Sequence, residues 1–275
     1  MLRTLTALAI MASAQFALPT PASAELLIAP TRVVLDRSDR STELVVVNKG
    51  AEEAAFRISI ENRRMNLDGS MEEVTEAIDD ELFAKDFIRY SPRRIVLKPG
   101  ERQTVRVSAR LNGDMAEGEY RSHLRLQGAP LSAGRTLQSA TSTDSGDLSI
   151  QLIAIRSITI PVIMRLGQLD ADVDIESINL QENDAEDETL LVARMTRTGS
   201  RSTYGDIKIY APDQVEPVYF ARGIALYTPN TERDLILPLP SELRAALTGK
   251  DIRIEYVSSD PQAPGVIANL TTRLP

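Results

Sequence analysis

Arg94-Ile95-Val96-Leu97-Lys98-Pro99-Gly100-Glu101-Arg102-Gln103-Thr104-Val105-Arg106-Val107 is the stretch that decides the fold. Two runs of alternating apolar and polar side chains flank Lys98-Pro99-Gly100, which has the composition of a tight turn. Alternation at period two puts the apolar side chains on one strand face and the polar ones on the other. The rhythm continues outward in both directions. Upstream, Glu43-Leu44-Val45-Val46-Val47-Asn48 reads as a strand closed by Asn48-Lys49-Gly50, and Ala55-Phe56-Arg57-Ile58-Ser59-Ile60 as the next, with Phe56, Ile58 and Ile60 on one face. Downstream, residues 120–126 repeat it. Short strands separated by Gly, Pro and Asn turns predict an antiparallel sandwich. Helical periodicity is weak; residues 75–84 are the clearest candidate in the first half, as a helix or only a turn.

Residues 128–146 break the rhythm: they are rich in Ser, Thr, Ala and Gly, and read as a long loop. Residues 148–165 follow as the longest apolar run after the N-terminus, too long for one typical strand. From about residue 169 a second series of about seven strands begins, enough for a second sandwich. Within it, residues 183–188 read as a charged turn, and residues 241–247 as a short helix with Ser241 as N-cap and Gly249 after its end.

The first residues have the order of a secretory signal: a charge at Arg3, a mostly apolar run over 5–18, then Ala22-Ser23-Ala24. This predicts removal of residues 1–24 and a mature chain starting at Glu25. No later stretch reaches the roughly 20 apolar residues of a membrane helix, so the mature chain is expected to have no membrane span.

Composition narrows the function. Of 275 residues none is Cys, which removes thiol catalysis, Cys-ligated zinc and iron–sulfur chemistry. His123 is the only histidine, so a metal site with several imidazoles is excluded, and a Ser-His-Asp hydrolase would depend on a residue in a strand-like segment. A net charge of −8 argues against nucleic acid as a partner. Carboxylates cluster at Asp79-Asp80-Glu81 and over residues 184–188, but glycoside chemistry needs an aromatic-lined cleft, and the chain has no Trp and 4% aromatic residues. No Gly-rich phosphate loop suggests a nucleotide. The expectation is a protein without catalytic residues, metal or cofactor.

Three blocks resemble the periplasmic chaperones of chaperone–usher pilus assembly. The first is Ala29-Pro30-Thr31-Arg32-Val33-Val34-Leu35, with the strand ending at Asn48 and Phe56-Arg57-Ile58-Ser59-Ile60-Glu61-Asn62. The second runs from Phe87 through the Pro99-Gly100 turn to Val107, and the third is Gly118-Glu119-Tyr120-Arg121-Ser122-His123-Leu124. The resemblance spans roughly residues 26–165; the second half is similar only in strand pattern.

The resemblance implies an all-β chain of two immunoglobulin-like β-sandwich domains in an L shape: residues 25–165 the N-terminal chaperone domain, 166–275 the C-terminal sandwich. It implies a periplasmic protein that binds secreted pilin-like subunits by donating an edge strand, with an outer-membrane usher as a further partner. On the long strand, Leu148, Ile150, Leu152 and Ala154 share one face and would form the donor ladder, the small Ala154 filling its pocket poorly; Ser149, Gln151, Ile153 and Ile155 share the other. An apolar run on both faces also fits a strand simply buried in the sandwich. The family places a basic pair in the cleft for the subunit's C-terminal carboxylate. Arg32 matches the first member, and an Arg can give a carboxylate two parallel N–H donors. The second, normally Lys, falls on Thr159, with Arg156 nearby at an odd offset that favours the opposite face. Tyr120 stands in a Gly-x-Tyr arrangement typical of a tyrosine corner, and Arg63-Arg64 and Arg93-Arg94 read as solvated strand ends. The alternative is a structural or adhesive immunoglobulin-like cell-surface protein without strand donation; an accessible apolar edge strand separates the two.

Overall fold

A computed structural model describes residues 26–113, 115–129, 131, 156–183 and 188–275. The first half contains β1 (Leu26–Ala29), β2 (Val33–Leu35), β3 (Ser41–Asn48), β4 (Ala54–Met65), β5 (Met71–Val74), β6 (Ile88–Ser91), β7 (Arg94–Leu97), β8 (Arg102–Ala109), β9 (Gly118–Ala129) and β10 (Ser157–Leu166). One sheet has the order β1-β3-β8-β6 and the other β2-β10-β9-β4-β5, with β7 also on β4. The chain passes back and forth between the two sheets, and two of these crossings, after β1 and after β6, carry Pro30 and Pro92. A proline has no N–H to leave unpaired there.

The predicted alternation explains how these sheets stack. Leu44 and Val46 of β3, Val105 and Val107 of β8, Phe56 and Ile58 of β4, Leu124 and Leu126 of β9, and Ile160, Val162 and Met164 of β10 form one buried cluster. Asn48 is fully buried because its side chain closes a turn: Nδ2 donates to Glu52 O (2.7 Å) and Leu97 O (3.0 Å), and Oδ1 accepts from Gly50 N–H (2.9 Å). Gly100, at φ 75°, donates to Asn48 O (2.8 Å), so the two turns are tied together. That φ lies in the region glycine enters without steric cost. Tyr120 is buried and its hydroxyl donates to Ala116 O (3.1 Å), the bond that defines a tyrosine corner.

The second half contains β11 (Ala171–Asn183), β12 (Glu188–Gly199), β13 (Thr203–Tyr210), β14 (Tyr219–Leu226), β15 (Glu232–Leu239), α1 (Ser241–Leu247), β16 (Asp251–Ser258) and β17 (Val266–Arg273). Sheets β11-β12-β15 and β14-β13-β16-β17 enclose a second cluster that includes Val173, Leu191, Met195, Ile207, Leu237 and Tyr256. The fold is therefore all-β, two sandwiches of immunoglobulin-like strand order.

Residues 75–84, read as a helix or only a turn, form turns, followed by a short 3-10 turn at Lys85–Phe87. One local expectation changes. Ser241 is the first residue of α1, not its cap: Pro240 holds the N-cap position and no side chain caps the helix. Gly249 follows the helix at φ 73°, as the sequence predicts.

Candidate functional site

The outward face of the β2-β10-β9-β4 sheet carries the odd-numbered residues of β9 and β10. These include Glu119, Arg121, His123 and Arg125 on β9, and Thr159, Pro161, Ile163 and Arg165 on β10. Several are buried although they point away from the first core, because the second half packs on this face. Met65 and Ile163 meet Ala225 and Tyr227 in a small separate cluster. Hydrogen bonds to backbone carbonyls reinforce the junction: Asn230 Nδ2 donates to Met65 O (2.9 Å) and Asp234 N–H to Leu67 O (2.7 Å).

The junction holds two kinds of cation. Arg165 is buried and paired on both sides, to Glu119 (3.1 Å) and Asp260 (2.7 Å). Glu119 also accepts from Ser202 N–H (3.2 Å) and from the Ser202 hydroxyl, whose oxygen in turn accepts from Thr228 N–H (2.9 Å). Burial alone would lower the Arg165 pKa, but Glu119 and Asp260 outweigh it and the pKa is raised.

Among the described residues Arg32 and Arg121 have no such partners. The Arg32 guanidinium lies 4.1 Å from the centre of the Tyr204 ring and 5.4 Å from that of Tyr227, and its buried Nε and Nη2 have no acceptor. Arg121 lies 4.3 Å from the Tyr227 ring; it donates only to Arg63 O (3.1 Å) and Thr228 O (3.4 Å), and its Nε is orphaned. Its pKa is lowered, chiefly by burial. His123 stands edge-on to Tyr227 at 6.4 Å. Its pKa is driven well below 6.5 by burial and by Arg121, Arg63 and Arg32. Stacked rings hold a guanidinium in place without supplying a counter-ion.

Thr159 lies on the same face as Arg32. Val33 is in register with Val162, so Arg32 comes abreast of Pro161, two residues from Thr159. Thr159 is in register with Arg125, which is engaged by Glu61 (3.2 Å) and Glu73 (3.6 Å). Arg156 is exposed just before β10, where its carbonyl accepts from Gly128 N–H (2.9 Å), and it shares the even spacing of the core-facing residues. The structure thus brings Arg32 and Thr159 to one face and leaves Arg156 off it by parity.

The second feature is an open edge. β2 is in register with β10 only over Val162–Met164, so among the described residues β10 has no partner on that side from Ser157 to Pro161. Ile158, in register with the core-facing Leu126, is 36% exposed there. Leu148, Ile150, Leu152 and Ala154 continue the even spacing of Ile158 and Ile160 in the sequence, but lie outside the described residues, as do the signal segment and its cleavage site. The basic pairs are not solvated ends throughout: Arg63 pairs with Glu61 (2.6 Å) and Arg64 with Glu81 (2.7 Å). Arg121, Tyr204, Tyr227 and the Arg165 network were not visible as site residues in the sequence. Strand alternation marks Glu119 and Arg121 as charges facing one way, but nothing local names partners about a hundred positions on.

No family model matches this chain, and no curated protein does. Solved structures of similar fold include a chain of the CsuC–CsuE chaperone–tip adhesion subunit pre-assembly complex from archaic chaperone–usher Csu pili of Acinetobacter baumannii. It is 13% identical, with 89% of this chain and 97% of that one covered and a TM-score of 0.47. The YadV chaperone is 11% identical over 90% of this chain and 99% of its own, with a TM-score of 0.47. A chain of the Salmonella enterica SafA pilin complex with the SafB chaperone is 12% identical, covering 93% and 99%, with a TM-score of 0.43.

Proposed function

We propose that this chain is a periplasmic chaperone, without enzymatic activity, that holds secreted pilin-like subunits by strand addition. Residues 25–165 form its client-binding domain and 166–275 its second sandwich domain. The observation that carries the reading is the open edge of β10 at Ser157–Pro161, on the same strand as Thr159 and close to the unneutralised Arg32. An open edge leaves N–H and C=O groups to be paired, and a partner strand satisfies them. Leu148, Ile150, Leu152 and Ala154 extend the apolar spacing along the same strand and supply its side-chain ladder. Arg32 anchors the client's terminal carboxylate. Arg121 compensates for Thr159 in place of the usual lysine: it sits behind Tyr227 and adds positive potential without touching the ligand.

The test is co-purification from the periplasm, with partners identified by mass spectrometry. Wild type is compared with Ile150→Asp/Leu152→Asp and with Arg32→Ala, each checked for native thermal unfolding. The expected result is a secreted subunit that copurifies with wild type, is lost with the double variant and falls at least about tenfold with Arg32→Ala. Wild type recovered alone, or equal partners in all three, would leave the structural or adhesive reading in its place.

A further inference from the structure

A second concave site lies on the opposite edge of β4. One side of β4 pairs with β9 over Ala55–Glu61, but the pairing on its other side is interrupted. β7 is in register with Ala54–Arg57 and β5 with Asn62–Met65. Between them the Ile58 N–H donates to Arg93 O (2.9 Å). Backbone groups alternate sides along a strand, so those of Ile60 turn toward the same gap, where no strand among the described residues pairs with them.

The gap opens as a cavity of about 510 Å³ lined by Arg57, Ile58, Ile60, Lys85, Arg89 and Arg93, together with Ser59, Asp86, Ile88 and Tyr90. Its size is that of a ligand pocket. Four cations surround it against one carboxylate, on a chain whose net charge is −8. None of the four forms an ion pair among the described residues. Two are nevertheless held in place. Arg89 Nη1 donates to Asp86 O and Ile88 O, both at 2.9 Å. Arg93 Nη1 donates to the Tyr90 hydroxyl at 3.3 Å, with its guanidinium 5.1 Å from the Tyr90 ring.

We infer that this notch binds an acidic, extended segment of a partner polypeptide, pairing it with the free edge of β4 beside Ile60 and neutralising its carboxylates on Arg57, Lys85, Arg89 and Arg93. Three features each select part of that ligand. The unpaired edge selects an extended main chain, the cations select carboxylates, and Ile58, Ile60 and Ile88 give apolar side chains a floor. The site is distinct from the open edge of β10, since β9 lies between β4 and β10 in the sheet.

Fluorescence anisotropy with the purified mature chain tests this without any client. The probe is a short labelled peptide alternating Glu and Val, compared with its Gln-for-Glu counterpart and with a version N-methylated at alternate residues. The Glu peptide is expected to bind, both counterparts at least about tenfold more weakly. Arg57→Glu/Arg93→Glu should cost at least about tenfold. Arg102→Glu, at an exposed position of β8 paired with Val47 of β3 and away from the notch, should change nothing. Absence of binding, equal binding of the Gln peptide, or indifference to the Arg57/Arg93 reversal would overturn the proposal. So would tripolyphosphate binding as tightly as the peptide while N-methylation has no effect, which would make the notch a general anion site.

Discussion

Arg165 and Arg121 occupy the same sheet face on neighbouring strands, both buried, yet the protein treats them oppositely. Arg165 has Glu119 and Asp260 within salt-bridge distance and the Ser202 hydroxyl bonded behind Glu119. Arg121 has the Tyr227 ring and two carbonyls around it and Arg32 the Tyr204 and Tyr227 rings, and among the described residues neither has a carboxylate within 4 Å. A buried charge that is fully paired joins parts of a fold. One left without a counter-ion costs free energy in the resting molecule, and an arriving anion can recover it. The difference divides the junction into a joint of paired charges and a side whose cations are held by rings, the side on which the proposed anchor for a client's carboxylate rests.

The largest expected effect comes from breaking the joint. Arg165→Met leaves Glu119 buried with its charge uncompensated, and denaturant unfolding should show a loss of about 3–5 kcal/mol. A loss below about 1 kcal/mol would mean the network behaves like a surface pair, and the division fails. Arg121→Met should cost less, about 1–2 kcal/mol, because the two carbonyl bonds lost are offset by removing a desolvated cation that Arg32 repels. If Arg121→Met proves as damaging as Arg165→Met, Arg121 belongs to the joint and its part in the anion site goes.

The sandwich itself was legible because its information is local. Alternation at Leu44–Val46, Phe56–Ile58 and Val105–Val107 names the core-facing side, and the Asn48 and Gly100 turns fix where strands end. Arg32 and Thr159 were named through the resemblance, and the structure brings them to one face because Arg32 precedes Val33, which is in register with Val162. The junction was not legible for the opposite reason. Tyr204, Tyr227 and Asp260 become site residues only through packing between strands far apart in the chain. The open edges are equally invisible: which backbone groups lack a partner depends on where β2, β5 and β7 stop pairing, and no side-chain pattern records that. The N-cap prediction at Ser241 failed because Ser is a good cap in isolation, whereas Pro240 had already set the helix start.

His123 gives the smallest and most selective probe of the unneutralised side. It faces Arg121, Arg63 and Arg32, is in register with Glu61 on β4 and Pro161 on β10, and packs edge-on against Tyr227. Its pKa in the folded protein lies well below 6.5, so the imidazole is neutral at pH 7. As pH falls below about 6.5 the unfolded chain takes up a proton that the folded chain refuses. Stability is therefore constant above that pH and declines below it, with a slope of at most about 1.4 kcal/mol per pH unit. Glu81 and Asp260, whose pKa values are lowered from 4.5 and 3.8, lose their contributions only at lower pH, which separates the two windows. His123→Phe keeps an aromatic ring against Tyr227 and removes the titration, so its stability should stay flat between pH 6.5 and 5, where the wild type declines. Parallel curves for the two proteins would show that His123 is not held neutral by its burial and the nearby arginines. Divergent curves that converge once a carboxylate-bearing ligand is bound would locate the missing counter-ion at this junction.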